Sequence, residues 1–357
     1  MITFSDNIAR KPYLGSTEIA EAWLGNVKVY PDTPTDYSRQ YLTFDILQSG
    51  NIGYKMSTNT LQYSKNGGAT WTNGSPSTNI PVNAGDKVLL KFTNPVLYKE
   101  NDTFITTNGV CQFYTDCNFN VYGNIMSLIY GDDFNVIQKM LVLPVMQDNY
   151  GNTVDMNHFI NLFYSCSHLI SAENLVLPAT ILKEECYNGM FQDCINLTTA
   201  PKILPAASIT ASSYAHMFDS CIHLTKAPVL SGTVMGSHCY DSMFYQCSKL
   251  TTAPELPAKT LAEDCYNSMF YQCSRLTTAP ELPATTLADY CYYAMFNGCR
   301  TLNYIKCLAT DINATNCTAN WVSGVAATGT FIKAASMNDW TTGTNGIPSG
   351  WTVVDAT

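Results

Sequence analysis

The sequence predicts a mixed, mainly β protein in which an N-terminal β-sandwich-like domain precedes a repeat solenoid with short helices or helical turns. Three observations predict it. A near-identical unit recurs along the second half, the apolar residues of each unit fall on one stripe, and the chain ahead alternates apolar and polar residues in short runs. With 46% hydrophobic and 13% charged residues over 357 positions, the chain has the apolar mass for more than one core.

The unit is clearest when aligned on a Met-Phe or Leu-Phe dipeptide. Its phenylalanine falls at Phe163, Phe191, Phe218, Phe244, Phe270 and Phe296, with Val322 in the same slot, in steps of 28, 27 and then 26 four times. A fixed period of this size marks a solenoid, whose units are too small to bury their apolar faces alone and bury them against one another. At about 100° per residue, Cys265, Tyr266, Met269, Phe270 and Cys273 share one stripe, and Asn267, Ser268, Tyr271 and Gln272 lie opposite. The following "RLTTAPELPA" suits a brief strand closed by a turn. Proline has no N–H to give a ladder, so Pro201, Pro228, Pro254 and Pro280 must each end or interrupt a strand. Strands stack about 4.8 Å apart and packed helices roughly 8–10 Å apart, so a strand-plus-helix repeat is expected to curve with its strands on the concave side.

These residues carry a resemblance. "MFxxCxxL" followed by "LTTAPELP" resembles the bacterial surface leucine-rich repeats of the BspA-like group, over about residues 158 to 329. The resemblance implies a leucine-rich-repeat solenoid acting as an interaction scaffold. The terminal units depart from it: His158 and, in the third unit, Ser213 replace the leading cysteine, and Trp321 replaces the last methionine. Divergent end units are what caps look like.

Fourteen cysteines invite disulfide or zinc readings. On a helix Cys265 and Cys273 would stand about 12 Å apart, too far to bridge, and zinc favours C-x2-4-C over this C-x7-C. Like cysteines of adjacent units would be kept apart by helix packing. Cys239, Cys247, Cys265, Cys273, Cys291 and Cys299 are therefore expected to be buried free thiols; the state of Cys111 and Cys117, outside the repeat, stays open.

Residues 1–33 hold a smaller echo, "YLGSTEI" from Tyr13 and "WLGNVKV" from Trp23, which reads as two short strand-turn units. This doublet is similar to N-terminal segments of tail- and fibre-associated virion proteins of Bacteroides-type gut phages, and the resemblance implies attachment to a virion. Its apolar residues Leu14, Ile19, Trp23, Leu24 and Val29 are too few for a core of their own and need a partner surface, which makes them candidates for virion anchoring. No basic and apolar leader opens the sequence, which fits release by lysis. The expected organisation is thus a 1–33 anchoring segment, a 34–125 sandwich-like domain, a 126–329 solenoid with clear units from about 158, and a 330–357 cap in which Trp340 and Trp351 cover the last turn.

Other motifs carry less. Ser64–Trp71, "SKNGGATW", matches the sialidase Asp-box, a structural hairpin in those enzymes, and one copy without an arginine cluster reads as a plain β-hairpin. "YGDD", Tyr130–Asp133, resembles polymerase metal aspartates but stands in an acidic chain of net charge −9 and pI near 4.9, and reads as a turn. His158, His168, His216, His223 and His238 show no metal spacing, and the pairs Glu184-Glu185 and Glu263-Asp264 suit helix starts. No catalytic, cofactor or metal site is expected, and no nucleic-acid partner or membrane insertion. Candidate host-binding residues are the rows the repeat exposes, Tyr245 with Tyr271, Thr252 with Thr278 and Glu255 with Glu281; solvent-facing filler in duplicated units would give the same rows. The function expected is a non-enzymatic phage virion protein, a tail or head fibre component that meets other virion proteins through its N-terminus and a host protein or glycan through its repeats. The alternatives are a bacterial surface adhesin and, more distantly, a carbohydrate-active enzyme. A homo-oligomer fits a fibre.

Overall fold

The computed structural model describes residues 36–56, 60–93, 111–135, 159–180 and 182–357, together with the backbone pairing of four short strands before residue 31 and of a small hairpin between 146 and 154. The chain is mainly β, with an N-terminal sheet region and a C-terminal β-solenoid of about six turns.

The first strands, β1 (Tyr13–Leu14), β2 (Thr17–Glu18), β3 (Ala22–Leu24) and β4 (Val27–Tyr30), pair as two antiparallel hairpins, β1 with β2 and β3 with β4. Then come β5 (Leu42–Ile46), β6 (Gly50–Met56), β7 (Leu61–Ser64), β8 (Thr72–Asn73), β9 (Ile80–Val82), β10 (Lys87–Phe92), β11 (Cys111–Thr115) and β12 (Phe119–Asn124). Their apolar alternation supplies the core: Leu42, Phe44 and Ile46 of β5 are buried, with Thr43 between them buried as well, and Phe119 and Val121 of β12 are buried between half-buried neighbours. A short helix α1 (Ser127–Tyr130) and the hairpin of β13 (Met146–Gln147) and β14 (Thr153–Val154) lead to β15 (Leu169–Val176).

Two sheets form, one ordered β15-β12-β5-β10-β7-β8 and one ordered β11-β6-β9. They meet face to face through Phe44 of the first and Phe113 of the second, whose ring centroids lie 5.0 Å apart. The expected boundary at residue 125 is crossed by hydrogen bonds, because β15, the first strand of the solenoid, pairs in parallel with β12.

Beyond β15 the strand limb continues as β16 (Ile203–Leu204), β18 (Val229–Leu230), β20 (Thr278–Leu282), β21 (Tyr304–Cys307), β22 (Thr330–Lys333) and β23 (Thr352–Asp355), with parallel pairing of β16 to β18 and of β20 through β23. A second limb pairs β17 (Ser208–Ile209) with β19 (Val234–Met235). The β20–β21 register slips between Thr278 and Glu281, around Pro280, as its missing N–H requires.

The third limb, which the stripe allowed to be helix or turns, is turns. In the unit at Cys265 the N–H groups of Asn267, Met269, Tyr271 and Cys273 each bond the carbonyl three residues back, while those of Tyr266, Ser268, Phe270 and Gln272 bond the next unit at Cys291, Tyr293, Met295 and Asn297. Asp264, Ser268 and Gln272 have φ of 54°, 50° and 58°, so every fourth residue takes the left-handed conformation and alternate turns close like type II turns. A period of four still buries two residues and exposes two, which is why a helical wheel finds the right stripe. It leaves no helix N-terminus for Glu184-Glu185 or Glu263-Asp264 to cap. The helix spacing invoked for curvature also does not apply: successive Phe rings along the column from Phe163 to Phe296 lie 5.4–5.7 Å apart, close to strand spacing.

The same correction removes the helix-packing argument for separating like cysteines, yet all fourteen cysteines are free and buried. The second cysteine of each unit has a defined role. Cys194, Cys221, Cys247, Cys273 and Cys299 point Sγ at the carbonyl of the preceding unit's Phe163, Phe191, Phe218, Phe244 and Phe270, at 3.0–3.1 Å. Each of those carbonyls also accepts the N–H of its own unit's second cysteine, so both lone pairs are used. Where Ser213 replaces a leading cysteine, its hydroxyl donates to Lys183 O at 3.1 Å, the carbonyl that Cys186 Sγ contacts at 2.8 Å.

At the far end Trp321 lies across the ends of two aromatic columns, 6.1 Å from Tyr292 and 6.3 Å from Phe296, and Trp340 stacks on it at 5.6 Å. Trp351 is buried and donates its indole N–H to Ala326 O at 2.8 Å.

Candidate functional site

The sides of the solenoid carry the candidate binding residues, and they divide between two limbs. On the turn limb Tyr245 and Tyr271 are half-buried and stack face to face, with centroids 4.6 Å apart and planes 3° from parallel. Their spacing is set by the backbone, since Gln246 N–H bonds Tyr271 O at 2.7 Å. Partial burial, then the neighbouring Tyr271 and Asp219, raises the pKa of the Tyr245 phenol. The slot is occupied by Asp219 in the unit before and Asn297 in the unit after, so the platform is two rings long.

On the strand limb Thr252, Thr278, Glu255 and Glu281 are all exposed. Glu281 pairs with Lys306 at 3.0 Å, and Glu255, Leu256, Pro257, Lys259, Glu281 and Pro283 line a shallow groove. The tyrosines and the Thr/Glu rows therefore belong to different faces.

Two features of the strand limb lie beyond the expected binding residues. Ile203 and Val229, paired in register, are 49% and 61% exposed, in the row that Glu255 and Glu281 continue. Beside them an apolar groove runs along Leu175, Leu177, Pro178, Ile203 and Pro205 to Asp36–Ser38 of the sandwich. The signal for the exposed pair in the sequence is the repeat offset itself, since Val229 and Leu230 take the places of Ile203 and Leu204 one unit on. A polar hollow nearby gathers Tyr37, Asp45, Lys87, Tyr122, Glu173 and Asn174; Lys87 bonds Asp45 at 3.0 Å, and that bond raises its pKa.

The set-aside motifs fall into structural roles. Ser64–Trp71 forms the β7–β8 hairpin, with Gly68 N–H on Ser64 Oγ and Thr70 N–H on Asn66 Oδ1, both at 3.0 Å. Within "YGDD", Asp132 accepts from Tyr41 Oη at 2.6 Å and from buried Lys91 Nζ at 2.6 and 2.7 Å; those bonds, Lys91 first, hold its carboxyl below the usual range. Lys91 Nζ also sits 4.2 Å over the Trp71 ring, so both motifs serve one cation.

His216 and His238 join a row the sequence did not reveal. His216 Nδ1 is 3.2 Å from Asp219, and His238 lies 3.4 Å from Asp241 and 3.7 Å from Asp264. Among the described residues no cluster of three or more His, Cys, Asp or Glu is placed to hold a metal ion, and no helix is long and apolar enough to cross a membrane. Of the anchoring candidates, Leu14, Trp23, Leu24 and Val29 lie in the two N-terminal hairpins, their side chains outside the described residues, as is Ile19 altogether. No family model matches the chain, and neither a curated protein nor a solved structure matches it.

Proposed function

We propose that the protein is a non-enzymatic display scaffold, a tail or head fibre component of a phage particle whose leucine-rich-repeat solenoid offers its sides to a protein or glycan on the host surface. The observation that supports this reading is how the solenoid is closed at both ends. Phe113 of the sandwich caps the first turn and Trp321 with Trp340 caps the last, so the repeating side faces remain for contact. Backbone bonds from unit to unit make those faces stiff, and a stiff array loses little entropy on binding.

The virion assignment rests on the resemblance of the LGS/LGN doublet and the repeats to phage proteins. Residues 1–33 would anchor to other virion proteins and the solenoid would display. The test is to purify particles from a lysate and identify this chain by mass spectrometry, then to delete residues 1–33 from the phage-encoded gene. Incorporation of the full chain and loss of the folded truncation support the assignment. Absence from purified particles, or normal incorporation of the truncation, overturns it, and detection on bacterial cell surfaces instead would favour the adhesin.

A further inference from the structure

Inside the solenoid a second aromatic column runs beside the phenylalanines. It begins at Phe159, continues through Tyr187, Tyr214, Tyr240, Tyr266 and Tyr292, and ends on Trp321. The hydroxyls of Tyr187, Tyr214, Tyr240 and Tyr266 are buried, with no hydrogen-bond partner among the described residues. The backbone of Ala206 and Gly232 approaches the hydroxyls of Tyr214 and Tyr240, but not in hydrogen-bond geometry. A buried hydroxyl left unpaired is costly, and four together rival the net stability of a domain. The neighbouring column reaches the same stacking with phenylalanine throughout, so ring packing alone gives no reason for the oxygen.

The spacing supplies one. Successive rings stand 5.6, 5.7 and 5.8 Å apart with planes within 8° of parallel, so their oxygens repeat at nearly the same interval. That is twice the O–H···O distance of about 2.8 Å: too far for one hydroxyl to reach the next, and right for one water shared between two. The sequence also places small residues at this end of the ring. Eight residues before each tyrosine stand Ala179, Ala206, Gly232 and Ala258, and a Cβ added to Gly232 would lie 2.8 Å from Tyr240 Oη.

We propose that the solenoid binds a single file of water molecules along its axis, one between each successive pair of these four hydroxyls. Tyr214 and Tyr240 each donate to the water on one side and accept from the water on the other, and Tyr187 and Tyr266 each bond the one water beside them, so the bonds run head to tail and reinforce one another. Phe159, with no hydroxyl to offer, closes the file beyond Tyr187, and past Tyr266 the column continues through Tyr292 to Trp321.

A crystal structure of the full chain at about 1.5 Å resolution, with thermal melts of Tyr214→Phe and Tyr240→Phe, tests this. Phenylalanine fits the column, so both variants are expected to fold. Water density midway between successive hydroxyls, with a fall in Tm of about 2–4 °C for each variant, supports the file. Gaps empty of density, or a Tm that stays level or rises when the hydroxyl is removed, overturns it.

Discussion

Phe113, in the β-sandwich, makes to Phe163 the contacts that each repeat phenylalanine makes to the next. Its N–H bonds Leu162 O at 2.8 Å, its carbonyl receives Cys166 Sγ at 3.0 Å, and its ring lies 5.9 Å from Phe163. One residue of strand β11 thus stands in for a whole preceding unit. Phe113→Ala is expected to destabilise the solenoid as well as the sandwich, by about 3–5 kcal/mol. Guanidinium denaturation followed by near-UV circular dichroism checks it; a solenoid transition that does not move would mean the two parts fold independently.

The cysteine ladder predicts inert thiols. Burial pushes the thiols of Cys166, Cys186, Cys239 and Cys307 up to about 12, so almost no thiolate exists at neutral pH to react. Alkylation of the native protein should leave the six cysteines from Cys239 to Cys299 unlabelled, and unfolding without reductant should expose all six. Cys247→Ala, which removes the Sγ contact to Phe218 O, is expected to cost about 1 kcal/mol or more. Disulfides found among the six would contradict both expectations.

Stability should favour mildly acid solution. The bond to Asp219, helped by the charges of Asp241 and Asp219 and opposed by desolvation, raises the pKa of His216. A raised folded-state pKa gives stabilisation that is full below the unfolded value near 6.5 and lost as pH rises through the folded value. Asp241 acts in the same sense but from lower pH, its contribution declining as pH rises from the unfolded value of about 3.9, because burial raises its carboxyl more than Ser242, His216 and His238 lower it. Through His216, Tm should fall between about pH 6 and pH 8, and His216→Gln should flatten that slope. An unchanged slope in the variant would assign the dependence elsewhere.

How much of this was legible varies by residue. The burial of Cys265, Tyr266, Met269, Phe270 and Cys273 was readable because a period of four and a period of 3.6 coincide over nine residues. The conformation was not, since Asp264, Ser268 and Gln272 look like ordinary polar positions and their positive φ is held by bonds to a unit 26 residues on. Phe113 as a rung was illegible for a related reason: the Phe-Tyr pair of "CQFYTDC" stands off the repeat period with its cysteine one place late, and the cysteine that contacts it, Cys166, lies 53 residues on. Tyr245 and Tyr271 as a stacked pair were readable from the period alone.

That pair carries the last prediction. Tyr245 and Tyr271 are the only two stacked tyrosines on the polar side of the turn limb among the described residues, and neither supports the core below them. Replacing both with alanine forfeits about 0.5–1.5 kcal/mol of ring pairing and leaves the cysteine and phenylalanine ladders in place, so Tm should fall little. If this platform is the host-binding face, the double variant should lose attachment of the purified protein to host cells at least tenfold. Glu255→Ala with Glu281→Ala, on the strand limb, should then attach as the parent does. The opposite pattern would move the binding face to the strand limb, where exposed Ile203 and Val229 continue the glutamate row. Full attachment by both variants would leave the two rows as solvent-facing filler, which the repetition of the units explains equally well.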